Sequence, residues 1–287
     1  MADPASTHLL PGLDWLVKLR IGLILASAGI LLIRAPGRGA LRFALGIFTI
    51  EAGTLVTIRG IIAAGGSSWW QYLMPFALVL VPALFIAVVL TRLRWWRRVG
   101  FTPVREWRAP HVVIPLLLML VLPIVGLSGR GLMATTVLVV SLQVGFMLIG
   151  VFMEEATYRG VILEALAGFS IFSRVMLSAV LFGLSHVDNL FLPGADELGV
   201  LYQVFEAALV GILFAAARLR MKTIWPVMAV HGMYDFMLIL AFGHAFPVAP
   251  TLPGFAVDSV VNVGLACVGL ALLRTRPGGR AATREAA

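Results

Sequence analysis

Runs of about twenty apolar residues alternate along this chain with short polar stretches rich in arginine. A helix crossing a bilayer needs about 20 such residues at about 1.5 Å each. The pattern predicts spans at 13–33, 41–64, 70–91, 110–127, 132–167, 174–192, 199–217, 223–243 and 257–273. The first is interrupted by Lys18 and Arg20. Lying along the interface instead, it would leave eight crossings rather than nine. The fold class expected is therefore all-α, a polytopic transmembrane helix bundle of eight or nine spans.

The loops between these spans test the assignment. One set of alternating loops holds 17 of the 22 basic residues, from Arg34, Arg38 and Arg42 to Arg274, Arg276, Arg280 and Arg284. The opposite set holds only Arg130. Basic residues collect in cytoplasmic loops, so the C-terminus is expected in the cytoplasm. The final "RTRPGGRAATREAA" has the composition of a disordered tail. At the other end, "MADPASTHLLPGLDWLVKLR" lacks the basic region and small-residue cleavage site of a signal peptide. No internal repeat of the transporter kind is visible.

Composition narrows the classes further. The chain is 60% hydrophobic and 13% charged, against about 25% charged in soluble domains. The bilayer is its first partner. The net charge of +8 follows from the loop bias and does not call for nucleic acid. A lone cysteine, Cys267, excludes an internal disulfide and a cysteine-rich metal site. Twenty Arg against two Lys fits a GC-rich bacterial source, and hence a multi-pass protein of a bacterial cell membrane.

Ionised residues inside an apolar span are costly and tend to mark function. The stretch "FMEEATYRG" places Glu154, Glu155, Tyr158 and Arg159 in the long fifth span. Glu155 and Arg159 are four apart and can pair on one helix face, while Glu154 points about 100° away. His186 closes "FGLSH", one turn after Phe182, and His231 opens "HGMYD", one turn before Asp235. Measured from the cytoplasmic ends of their spans, Glu154, His186 and His231 lie at about 20, 18 and 13 Å. Three helices thus bring ionisable groups to a similar level. Tyr158, Asn189 and Glu206 are supporting candidates, Glu206 as a cavity-lining group. Glu51 and Arg59, eight apart in the second span, are too distant to pair and are expected to meet other helices or water.

A glutamate beside a histidine can hold and deprotonate water for hydrolysis. A second histidine can donate to the oxygen that becomes negative in the tetrahedral intermediate. The same groups could instead bind zinc, although the H-E-x-x-H helix of zinc proteases is absent. A metal-free glutamate mechanism is preferred, with zinc as the alternative cofactor. A channel, transporter or scaffold with buried ion pairs is the non-enzymatic rival.

In order, "EEATYR", "FGLSH" and "HGMYD" resemble the E-E-x-x-x-R, F-x-x-x-H and H-x-x-x-N/D motifs of the CAAX-processing and bacteriocin-processing intramembrane endopeptidases. "LYQVFEAALVGILFAAARLRMKTIWPVMAVHGMYD" also looks like that family's last core helices. The resemblance implies an intramembrane protease core at about 130–245, with a cavity open to the cytosol. Residues 1–129 are then N-terminal transmembrane helices of unassigned role, and 246–287 a last helix and tail. By resemblance, Glu154 activates water, His186 holds it, and His231 and Asp235 stabilise the oxyanion, with Glu155 and Arg159 as a supporting pair. Eukaryotic prenyl-protein members carry Asn where Asp235 stands. An ionised Asp would repel an oxyanion, so Asp235 must be protonated or orient His231. The implied substrate is a membrane-associated peptide or protein, lipidated or not, cut near its C-terminus or a membrane-proximal segment. Bacteria generally lack prenylated CAAX proteins, which points to a different peptide.

Overall fold

The computed structural model describes residues 14–35, 39–64, 70–104, 110–121, 123–124, 137–192, 195–242 and 251–274. Arg38, Arg105, Arg108, Arg130 and the tail from 275 lie outside them. All regular elements among the described residues are helical. They are α1 (Trp15–Arg34), α2 (Ala40–Ala64), α3 (Trp70–Leu93), α4 (Pro110–Leu118) and α5 (Val137–Glu155). Helix α5 runs on through a π-helical turn, Ala156–Ile162, to Ala165. Then come α6 (Ile171–Ser185), a 3-10 turn (His186–Phe191), α7 (Glu197–Met221), α8 (Trp225–Phe242) and α9 (Leu252–Arg274). Seven of the helical stretches are long and apolar enough to cross a membrane, and α8 is a shorter apolar helix. The protein is a polytopic helical bundle.

Its outer surface is what lipid requires. Leu31, Leu84, Val88, Leu198 and Val260 point outward without protein cover. Inside, two apolar clusters hold the helices together. One joins Ile47 of α2, Ile86 and Leu90 of α3, Ile162 beyond α5 and Phe182 of α6. The other joins Leu116 of α4, Leu213 and Phe214 of α7, Val230 of α8 and Leu265 of α9.

Helix α1 stands in the bundle despite its charges. It packs along α2, where Gly22 and Gly53 let the backbones meet; a Cβ on Gly53 would lie 2.4 Å from the Ala26 nitrogen. Lys18 is buried, and its Nζ donates to the Phe191 carbonyl at 3.0 Å. The polar head that argued against a span has a protein acceptor instead of lipid.

Two basic loops meet at one end of the bundle. Buried Arg218, at the end of α7, donates from Nε to the Val99 carbonyl (2.8 Å) and from Nη2 to that of Arg98 (2.7 Å). The Ile224 amide donates to the Gly100 carbonyl at 2.9 Å. Gly100 has φ 99°, a conformation that only glycine adopts without strain. Arg98 and Arg174 also share Glu164, each at 3.2 Å. The loops after α3 and α7 thus lie together, as the alternation of loop charge requires.

Candidate active site

Helix α5 delivers Glu154 and Glu155 at its last α-turn, and the chain then widens into the π-turn. Such a turn closes i→i+5 rings, and it recurs at functional sites. Here all of its residues are buried, Tyr158 and Arg159 among them. Ser178 of α6 donates to the Tyr158 carbonyl at 2.7 Å and pins the turn to its neighbour. The two glutamates diverge: Glu155 is fully buried, whereas Glu154 lines a cavity.

Glu155 Oε1 lies 2.8 Å from His231 Nδ1 and 3.2 Å from Arg159 Nη1. The Arg159 guanidinium is fully buried and stacks 3.8 Å above the Phe182 ring, with Phe214 at 5.1 Å. Aromatic faces stabilise a cation where water is absent. Phe182 also meets the rings of Tyr158, His186 and His231 edge-on. One phenylalanine therefore sets the spacing of three motifs.

On its other nitrogen, His231 faces two more carboxylates. Nε2 is 3.5 Å from Glu154 Oε2 and 3.5 Å from Asp235 Oδ2. The imidazole thus stands among Glu154, Glu155 and Asp235. His186 is arranged differently. Its Nδ1 lies 3.0 Å from the Phe182 carbonyl. A carbonyl only accepts, so Nδ1 carries the hydrogen and Nε2 of the neutral ring is left as an acceptor.

Glu154 and His186 share the cavity rather than a direct contact. It has a volume of ≈ 130 Å³, room for several waters. Helix α2 lines it with Glu51, Leu55 and Arg59, α3 with Leu78 and Val79, and the 3-10 turn with Asp188 and Asn189. Arg59 binds Asp188 Oδ2 through Nε (2.9 Å) and Nη2 (2.7 Å), and Nη2 also donates to Asn189 Oδ1 at 2.8 Å. Asn189 passes a hydrogen to Gln203 Oε1 at 2.8 Å. Helices from the region without an assigned role are therefore part of the cavity wall.

Glu206 does not reach this cavity. It faces α9, where Ser259 Oγ donates at 2.8 Å and Asn262 Nδ2 bonds its other oxygen. Besides Asn189 and the apolar lining, Glu51, Arg59, Asp188 and Phe214 stand at the site outside the motifs. The first two announced themselves as charges inside an apolar span. Phe214 carried no signal, because an aromatic in an apolar helix looks like any packing residue. Among the described residues no three His, Cys, Asp or Glu side chains are placed to hold a metal ion.

The helical membrane bundle thus gathers Glu51, Glu154 and His186 on one cavity, with His231 beside Glu154. Residues 135–237 match the family described as Type II CAAX prenyl endopeptidase Rce1-like. That segment contains all three motifs, and the resemblance they carry to the CAAX-processing endopeptidases is borne out over it. No curated protein and no solved structure matches the chain.

Proposed function

We propose that the protein is a glutamate-dependent intramembrane endopeptidase working without a metal. What carries the reading is that Glu154 and His186 face one cavity from two helices, with the His186 tautomer set by the Phe182 carbonyl. A water there has two hydrogens and meets two acceptors, the Glu154 carboxylate and His186 Nε2. Glu154 takes one proton, and the hydroxide adds to the peptide carbonyl. His231, among three carboxylates, carries both ring hydrogens: Nδ1–H is given to Glu155 and Nε2–H is presented to the developing oxyanion. Asp235, 3.5 Å from that nitrogen, orients it. The proton on Glu154 then passes to the leaving amine as the C–N bond breaks. Arg159 and its aromatic cover keep the buried Glu155 charge in place.

The substrate is a membrane-associated peptide or protein cut near its C-terminus or a membrane-proximal segment. The basic loops favour a cytoplasmic opening, a cytoplasmic C-terminus and a bacterial cell membrane as the setting. The test is cleavage of membrane-anchored peptides by purified protein with and without a chelator. Cleavage is expected to persist in chelator. Activity lost to chelator and restored by zinc would overturn the metal-free mechanism in favour of a zinc site.

A further inference from the structure

Glu51 is a buried acid that stands outside the three motifs. It lies mid-helix in α2, outside the family-matched segment, and is 2% exposed. Neither of its carboxyl oxygens has a hydrogen-bond partner among the described residues. The Thr157 and Tyr158 hydroxyls face it as the available donors, and the Tyr158 hydroxyl has no partner of its own among the described residues. The cation of its own helix, Arg59, is two turns away and engaged by Asp188 and Asn189. Lys18 of α1 bonds the Phe191 carbonyl. The other acids on its cavity are Glu154 and Asp188. Both glutamates line the same cavity.

An ionised carboxylate without a counter-ion is very unfavourable in such a place, and a neutral one is tolerated. A protonated carboxyl has one hydrogen to give. The strongest acceptor on the cavity is the Glu154 carboxylate, which already has one oxygen turned to His231. We infer that Glu51 is a positioning residue of the hydrolytic site: it carries its proton and donates that hydrogen to Glu154, directly or through a cavity water. The two carboxyl groups then hold one negative charge between them. Glu154 is kept from rotating away from its water, and the charge facing the substrate stays single. The inference rests on the proposed role of Glu154 and adds a residue from an N-terminal helix that carries none of the three motifs.

Two substitutions of similar size separate this role from mere packing. Glu51→Gln keeps a neutral hydrogen donor, whereas Glu51→Leu removes it without leaving a buried polar group unpaired. Both are expected to unfold in detergent at or above the wild-type temperature. Glu51→Gln is expected to keep most of kcat. Glu51→Leu should lose about 10–100-fold in kcat with KM unchanged, the weight of one hydrogen bond to a charged group. Full activity in folded Glu51→Leu would overturn the role, and so would equal loss in both variants.

A second measurement is independent of turnover. Infrared difference spectra of purified wild-type and variant proteins at neutral pH report the carbonyl stretch of protonated carboxyl groups. The band is expected to disappear in Glu51→Gln and to remain in Glu154→Gln. A wild-type spectrum without that component, or one lost in Glu154→Gln instead, would overturn the inference. A wild-type protein that cleaves nothing would refute the peptidase reading, while the infrared result would still decide where the proton sits.

Discussion

Two groups of buried carboxylates sit in this bundle, and they are built on opposite plans. On the α7–α9 side, Glu206 receives a hydrogen on each oxygen, from Ser259 and Asn262, and Asp258 receives one from Tyr202 at 2.9 Å. On the α5–α8 side the accounts stay open. Glu155 Oε2 and both oxygens of Glu51 have no partner among the described residues, and the three Arg159 nitrogens make no hydrogen bond there. The first group is what packing helices through a polar contact looks like: donors are supplied, and neither acid lines the Glu154 cavity. In the second, acceptors and donors are both left open, with Glu51 on the cavity and Glu155 and Arg159 behind it. Since native proteins rarely leave buried polar groups unsatisfied, such a deficit points to a role that a finished hydrogen-bond set would prevent.

The sharpest way to break this contrast is to neutralise one glutamate in each group. Glu154→Gln is expected to lower kcat by about 10²–10⁴-fold with the fold retained. Glu206→Gln should leave turnover unchanged. Comparable losses in both, measured on the same peptide, would erase the distinction between the groups.

Next in size is the ion pair behind the cavity. Arg159→Ala leaves Glu155 charged and buried, at a cost of about 3–5 kcal/mol. Replacing Glu155 and Arg159 together by glutamines should cost less than the sum of the single changes, seen as thermal unfolding in detergent. Simple additivity would mean that the two are not coupled. The smallest effect is expected on the satisfied side. Asn262→Ala removes one donor from Glu206 and should cost about 1–3 kcal/mol, with no change in kcat for the protein that remains folded.

Span positions and the three motifs were legible because both are periodic signals: apolar length sets the helices, and i, i+4 spacing sets which side chains share a face. What could not be read depends on neighbours. Lys18 argued against a first span because its acceptor, the Phe191 carbonyl, lies in a distant part of the chain. Glu206 had the same outward features as Glu154, an acid in an apolar helix, and only the helix opposite it decides between packing and cavity. The π-turn at Ala156–Ile162 leaves no mark on composition, yet it carries Tyr158 and Arg159 inward together. Glu51 was visible as an anomaly, but its place on the Glu154 cavity required the packing of α2.

The Lys18 contact also sets a timetable. Its acceptor is 173 residues further along the chain. At about 5–20 residues per second of synthesis, the ammonium group enters the membrane roughly 10–35 s before that carbonyl exists. The turn that carries His186 brings that acceptor, so the Lys18 contact and the Asp188 and Asn189 wall of the cavity form together, before α7, α8 and α9 are made.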